Sequence, residues 1–144
     1  MRPFTRCFLR TLSKKYTISV YSVLPQKFLN YILKMLQKDR ICITNILHTD
    51  STSEVKNLTS FWSKGSPNKA NSVIVDHDAR TAVVNSGNAV PVIYFKGVTS
   101  KDSVLLYLEK YLLDLAMYED VRGKLQNDFG IGIQKVKKMN TNLF

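Results

Sequence analysis

Between residues 17 and 47 the hydrophobic pattern changes period twice. Thr17-Ile-Ser-Val-Tyr-Ser-Val23 alternates β-branched or aromatic residues with hydroxyls, the period-two pattern of a strand. Phe28, Leu29, Ile32, Leu33 and Leu36 then recur at helical spacing behind Pro25, a residue that the first turn of a helix tolerates. That helix should end near Lys38-Asp39-Arg40. Ile41-Cys-Ile-Thr-Asn-Ile-Leu47 follows as a short, apolar, β-branched run, which reads as a buried strand. Strand, helix, strand in this order predicts two parallel strands joined by a right-handed crossover. A chain committed to such a unit is α/β.

The rest of the chain continues the alternation. Ser51-Thr-Ser-Glu54 has capping-box spacing and predicts a short helix through Val55, Leu58, Phe61 and Trp62, broken by Gly65-Ser-Pro-Asn68. Ser72-Val-Ile-Val75 reads as a strand, His77-Asp-Ala as a tight turn and Arg80-Thr-Ala-Val-Val84 as the hairpin partner. Val90-Pro-Val-Ile-Tyr-Phe95 is a further strand-like run. Val104, Leu105, Leu108, Tyr111, Leu112 and Leu115 mark the clearest helix. The order β-α-β-α-β-β-α matches a thioredoxin-like sandwich, a central mixed sheet flanked by helices over residues 16–118. Residues 119–144, with Gly123, Gly130 and Gly132, then Lys135, Lys137 and Lys138, read as a weakly ordered tail.

Charge separates the N-terminus from the rest. The chain has 144 residues and a formal net charge of +10, yet residues 1–40 hold nine basic side chains and only Asp39 as an acid. The remainder is nearly balanced, which argues against nucleic acid as the partner of the domain body. Arg2, Arg6 and Arg10 share a helical face, with Phe4, Phe8, Leu9 and Leu12 elsewhere and hydroxyls between. An amphipathic, Arg-rich, acid-poor start is the composition of a mitochondrial transit peptide. Residues 1–15 are therefore read as targeting sequence, with the mitochondrial matrix as the expected address. No apolar run reaches the roughly 20 residues of a membrane span.

Few residues suggest chemistry. Cys7 and Cys42 are the two cysteines, too few for a four-thiolate zinc site, and His48 and His77 are the two histidines, so no metal or other cofactor is expected. A thioredoxin-type thiolate sits at the start of a helix, but Tyr21-Ser-Val-Leu-Pro-Gln26 contains no cysteine. Cys42, inside the apolar run, reads as a small buried hydrophobe or, alternatively, as a single-thiol catalytic centre. Asp76-His77-Asp78 could form an acid–base pair or half a metal site, although turn chemistry accounts for both aspartates. Trp62 reads as core rather than as a base-stacking platform. Val90-Pro91 resembles a β-Pro junction, and a proline at a strand start is common.

Phe61-Trp-Ser-Lys-Gly65, then Ser-Pro-Asn-Lys-Ala and Val73-Ile-Val-Asp76-His-Asp-Ala-Arg80, resembles the small mitochondrial thioredoxin-fold redox proteins of fungi, as does Thr17-Ile-Ser-Val-Tyr21. The resemblance implies a thioredoxin fold and redox activity on a thiol or other small-molecule substrate. It also exposes two departures. Phe61 stands where that family carries its active cysteine, and His77 replaces a tryptophan. Any oxidoreductase activity would then rest on Cys42 alone, without a CxxC motif. The alternative expectation is a non-catalytic structural subunit of a mitochondrial assembly such as the ribosome, attached through 135–138 and Leu143-Phe144.

Overall fold

In the computed structural model, which describes residues 1–49, 55–62, 67–97 and 101–141 and side chains through 135, the chain divides into two units. The first comprises Met1–Glu54 and Phe95–Ala116, and the second Val55–Tyr94 and Met117–Phe144.

In the first unit, β1 (Ser19–Ser22) and β2 (Asn45–His48) pair in parallel, Ser19 opposite Asn45 and Ser22 opposite His48. The amphipathic helix predicted between them is α2 (Gln26–Lys38), which buries Leu29 and Leu36. Pro25 stands one residue earlier than expected, as the extended N-cap. The apolar run 41–47 is not one strand. Arg40 takes a positive φ of 58°. The Ile41 N–H donates to the Leu36 carbonyl and the Arg40 N–H to that of Gln37. These are the two bonds of a Schellman helix end. Ile41 is buried as the apolar residue that closes this helix end, and the chain reaches strand geometry only at Asn45.

Two more helices complete the unit. α1 (Thr5–Leu12) packs against α4 (Val104–Leu115), burying Phe8 and Leu12 on one side and Leu108, Leu112 and Leu115 on the other. The Tyr16 hydroxyl donates to the Leu112 carbonyl at 2.5 Å, and Arg2 Nε lies 3.0 Å from Asp102 Oδ2. Residues 1–15, set apart in the sequence as a targeting segment, are thus built into this unit.

The second unit repeats the parallel plan in miniature. β3 (Ile74–Asp76) pairs with β4 (Ala89–Pro91), Ile74 opposite Ala89 and Asp76 opposite Pro91. Between them, Arg80–Val84 is not a hairpin strand but part of α3 (Ala79–Val84). The cause is local. Asp78 caps the helix by accepting the Arg80 N–H at 2.8 Å, and a capped turn there commits the chain to a helix. Residues 119–144, read as a weakly ordered tail, contain α5 (Val121–Thr141), which buries Val121, Leu125 and Ile133 and packs on α3 and β4. Leu58, Ile74, Ala82, Ala89 and Ile133 form the core, with Phe61, Trp62, Val83 and Phe129 against it. Trp62, read as core, is partly buried against this cluster, its Nε1–H donating to Ser72 Oγ.

Of the helix predicted over 51–62, the described part is a single 3₁₀ turn, Leu58–Phe61. The capping box at 51–54, the break at Gly65-Ser66 and the Leu143-Phe144 pair lie outside the described residues. The α/β class holds. The strands, however, form two separate two-stranded parallel sheets among the described residues, not the central mixed sheet of a thioredoxin-like fold. The same residues include no helix long and apolar enough to cross a membrane.

Candidate functional site

The carboxyl end of β3 gathers the most chemistry. Asp76 is the last residue of the strand and is buried, and its carbonyl is held from the β4 side by the Val92 N–H at 2.9 Å. In parallel α/β units ligands bind beyond the carboxyl ends of the strands, where loops can converge. Opposite Asp76 stands Lys56, whose ammonium donates to Oδ2 at 2.7 Å; the two side chains are only 19% and 6% exposed. A charge pair this far out of water costs desolvation, so its geometry must be supported.

Asn85 supplies that support. Its side-chain oxygen accepts the Leu58 N–H at 2.8 Å, and its amide donates to the carbonyls of Lys56 (2.8 Å) and Thr81 (2.7 Å). One buried amide therefore fastens the backbone of Lys56 to α3. Asn88, also buried, does the same for the segment before β3 by donating to the Lys69 and Ser72 carbonyls. Gly87 between them has φ 86°, a conformation that favours glycine.

The turn after β3 is built by its own carboxylates. Asp76 Oδ1 accepts the N–H groups of His77 (2.7 Å) and Asp78 (3.2 Å), and His77 Nδ1 lies 3.3 Å from the same oxygen. The His77 ring meets Tyr94 at a centroid distance of 4.9 Å and a tilt of 58°. Asp78 is clamped by the Arg80 guanidinium, with Nη2 to Oδ2 at 2.7 Å. The hydrogen bond from the Arg80 side chain holds the Asp78 carboxyl below the usual carboxylate range. Asp76 thus spends one oxygen on the turn and the other on Lys56, which makes it a positioning group for the ammonium. A lysine ammonium has three donors. A fixed ammonium beside a parallel-strand end suits a phosphoryl group, whose charge sits on its oxygens.

The residues singled out in the sequence are distributed differently. Asp76, His77 and Asp78 come together here, and turn chemistry does employ both aspartates. Lys56 and Asn85 were not anticipated. Asn85-Ser-Gly-Asn88 reads in the sequence as a polar loop, and only the fold buries its two asparagines. Cys42, expected inside a buried strand, is exposed in the segment between α2 and β2. Cys7 is exposed on α1. Phe61 packs against the core. Among the described residues no group of three or more His, Cys, Asp or Glu side chains is placed to hold a metal ion.

Comparison with known proteins bears on this arrangement. The model of the NLI interacting factor-like phosphatases matches residues 1–122. No curated protein gives a significant match to the chain. The family match overturns both expectations drawn from the sequence, the thioredoxin-fold redox protein and the structural subunit of a mitochondrial assembly. The short strand and turn segments that suggested the redox family are generic to parallel α/β units, and the order of elements misled because α3 was read as a strand. A match over most of the chain, reaching both units, settles the relationship: the chain belongs to the NLI interacting factor-like phosphatase family.

Proposed function

We propose that the chain acts on a phosphate monoester at the carboxyl end of β3, with Lys56 as the cation that meets the phosphoryl oxygens. The family match over residues 1–122 carries this reading. The buried Lys56–Asp76 pair supports it locally, because the ammonium is held at 2.7 Å from a carboxylate that cannot easily leave. In the hydrolysis, a bond forms between phosphorus and a water oxygen while the bond to the substrate's alcohol oxygen breaks, and one proton of the water ends on the departing alcohol oxygen. Lys56 would neutralise charge on the phosphoryl oxygens as this happens, Asp76 would keep the ammonium aimed, and Asn85 would fix the backbone from which it extends.

The test uses the purified full chain, p-nitrophenyl phosphate as substrate and inorganic phosphate as a ligand followed by calorimetry. Lys56→Ala should lower turnover by about 10²–10³, the usual loss for one preorganised donor. It should weaken phosphate binding as well, and Lys56→Arg should restore part of both. Unchanged turnover and binding in Lys56→Ala would remove Lys56 from the site. A parent chain that neither turns over the ester nor binds phosphate would overturn the proposal itself.

A further inference from the structure

The outer face of α2 carries two features that the fold of the first unit does not use. Leu29 and Leu36 turn one side of the helix into the unit. On the other side Phe28 and Tyr31 stand 63% and 64% exposed, and Leu24, just ahead of the helix, is 45% exposed. Beside this apolar ridge Lys27, Lys34 and Lys38 form a second exposed row at helical spacing. The helix itself contains no acidic residue. Asp39, the one acid among residues 1–40, lies 2.7 Å from Arg6 and 4.0 Å from Arg10 and is drawn toward α1. Among the described residues the three lysines have no carboxylate partner. The contrast with α4 is informative. That helix also exposes apolar side chains, Leu106 and Tyr107, but it carries Glu109 and Asp114 with Lys110, so its charge is mixed.

We propose that α2 is a membrane-surface helix, which docks the first unit on a bilayer rich in anionic lipid. Exposed aromatic residues bordered by lysines are the two parts such a helix needs, apolar side chains for the acyl boundary and cations for the headgroup phosphates. Lysine stems lie along apolar surface while their ammonium groups stay at the polar level, so the two rows can act together. With 13 residues α2 is too short to span a bilayer, and it lies in the plane of the surface. Phe28 and Tyr31 protrude from a single helix and do not line a groove of the kind that takes a partner's apolar anchors. A second copy of the chain seated on the same patch would bring two lysine rows together, a like-charge contact that opposes pairing.

The full chain would be sedimented with vesicles of phosphatidylcholine alone and of phosphatidylcholine mixed with phosphatidylserine. Binding should need the phosphatidylserine and weaken as salt is raised, because salt screens the headgroup charge. Each of Lys27→Gln, Lys34→Gln and Lys38→Gln should weaken binding about fivefold, and the three together about 10²-fold, the attraction expected per basic residue at such a surface. Phe28→Ser with Tyr31→Ser should weaken it about tenfold or more through lost apolar contact. Leu106→Ser with Tyr107→Ser on α4 should leave it unchanged. All these positions are exposed, and an unaltered midpoint of urea unfolding would show that each variant is folded. Inorganic phosphate should displace the chain no more than a chloride salt of equal ionic strength, and stronger displacement would overturn the proposal in favour of a soluble-anion site. Equal binding to phosphatidylcholine alone, or binding indifferent to Phe28 and Tyr31, would overturn it as well. So would a parent chain that ignores both vesicles and binds polyglutamate through the same lysines, which would make α2 a face for an acidic protein. None of these outcomes touches the Lys56 reading, which is judged by turnover and phosphate calorimetry.

Discussion

The two units differ in how their helix starts are secured. In the first, α2 follows Pro25, which offers no side-chain cap, and α4 opens with Asp102 accepting the Val104 N–H at 3.1 Å but with no guanidinium closed over that carboxylate from within the turn; both helices are held by buried leucines. In the second, α3 and α5 begin with the same clamp, Asp78-Ala-Arg80 and Asp120-Val-Arg122. The aspartate accepts the N–H of the arginine two residues on, and the guanidinium closes over the carboxylate. A helix of six residues such as α3 cannot stand on its own in water, so its first turn must be secured by the cap and by its neighbours. A buried stripe is the main support of α2 and α4, whereas α3 and α5 add an Asp–Arg clamp at their first turn to the side chains they bury.

The sharpest way to break this contrast is in the first unit. Leu115 is 0% exposed, and Leu115→Ala should cost about 2–5 kcal/mol in urea unfolding, the range for a fully buried leucine. A loss under about 0.5 kcal/mol would show that the stripe does not hold α4. In the second unit Asn85→Ala should cost about 1–3 kcal/mol, because the Leu58 N–H and two carbonyls lose their buried partner. Phosphate affinity should fall with it, since Lys56 loses its anchor. Asp78→Ala should cost about 1 kcal/mol through the lost cap, and an unaltered midpoint of unfolding would contradict the role assigned to the clamp.

The smallest effect is a pH dependence. Arg122 holds the Asp120 carboxyl at about 2, and Arg80 holds Asp78 low as well. A carboxyl depressed in the folded state stabilises the protein above the unfolded value near 4, and the benefit is lost as pH falls toward the folded value. The melting temperature of the parent should therefore drop more between pH 5 and pH 2 than that of Asp120→Asn. Parallel curves would mean that the α5 clamp is open in solution.

This contrast also explains what was legible in the sequence. α2 and α4 were predicted nearly to their ends because a 3.6-residue stripe over a dozen residues is a strong signal. Over Arg80–Val84 the same periodicity is too short to distinguish from alternation, and the informative residue was Asp78 in front of it. Ile41 and Cys42 show the converse failure. Their apolar character is shared by strands and helix ends, and only the positive φ at Arg40 separates the two. The site was half visible. Asp76, His77 and Asp78 stood out as neighbours, whereas Lys56 is a lone lysine whose partner lies 20 residues away. Its meaning depends on a contact that no local pattern encodes.

Asn85 has a consequence in time as well as in space. It binds the carbonyl of a residue 29 positions earlier, so Lys56 is placed by a part of the chain that is synthesised after it. At about 5–20 residues per second, that delay on the ribosome is a few seconds. Until α3 has emerged and closed the intervening loop, the lysine hangs from a segment with no fixed backbone. A chain interrupted before Asn85 would carry the Lys56 ammonium on a backbone that nothing ties to α3, so the placement of this lysine is acquired only after α3 is complete.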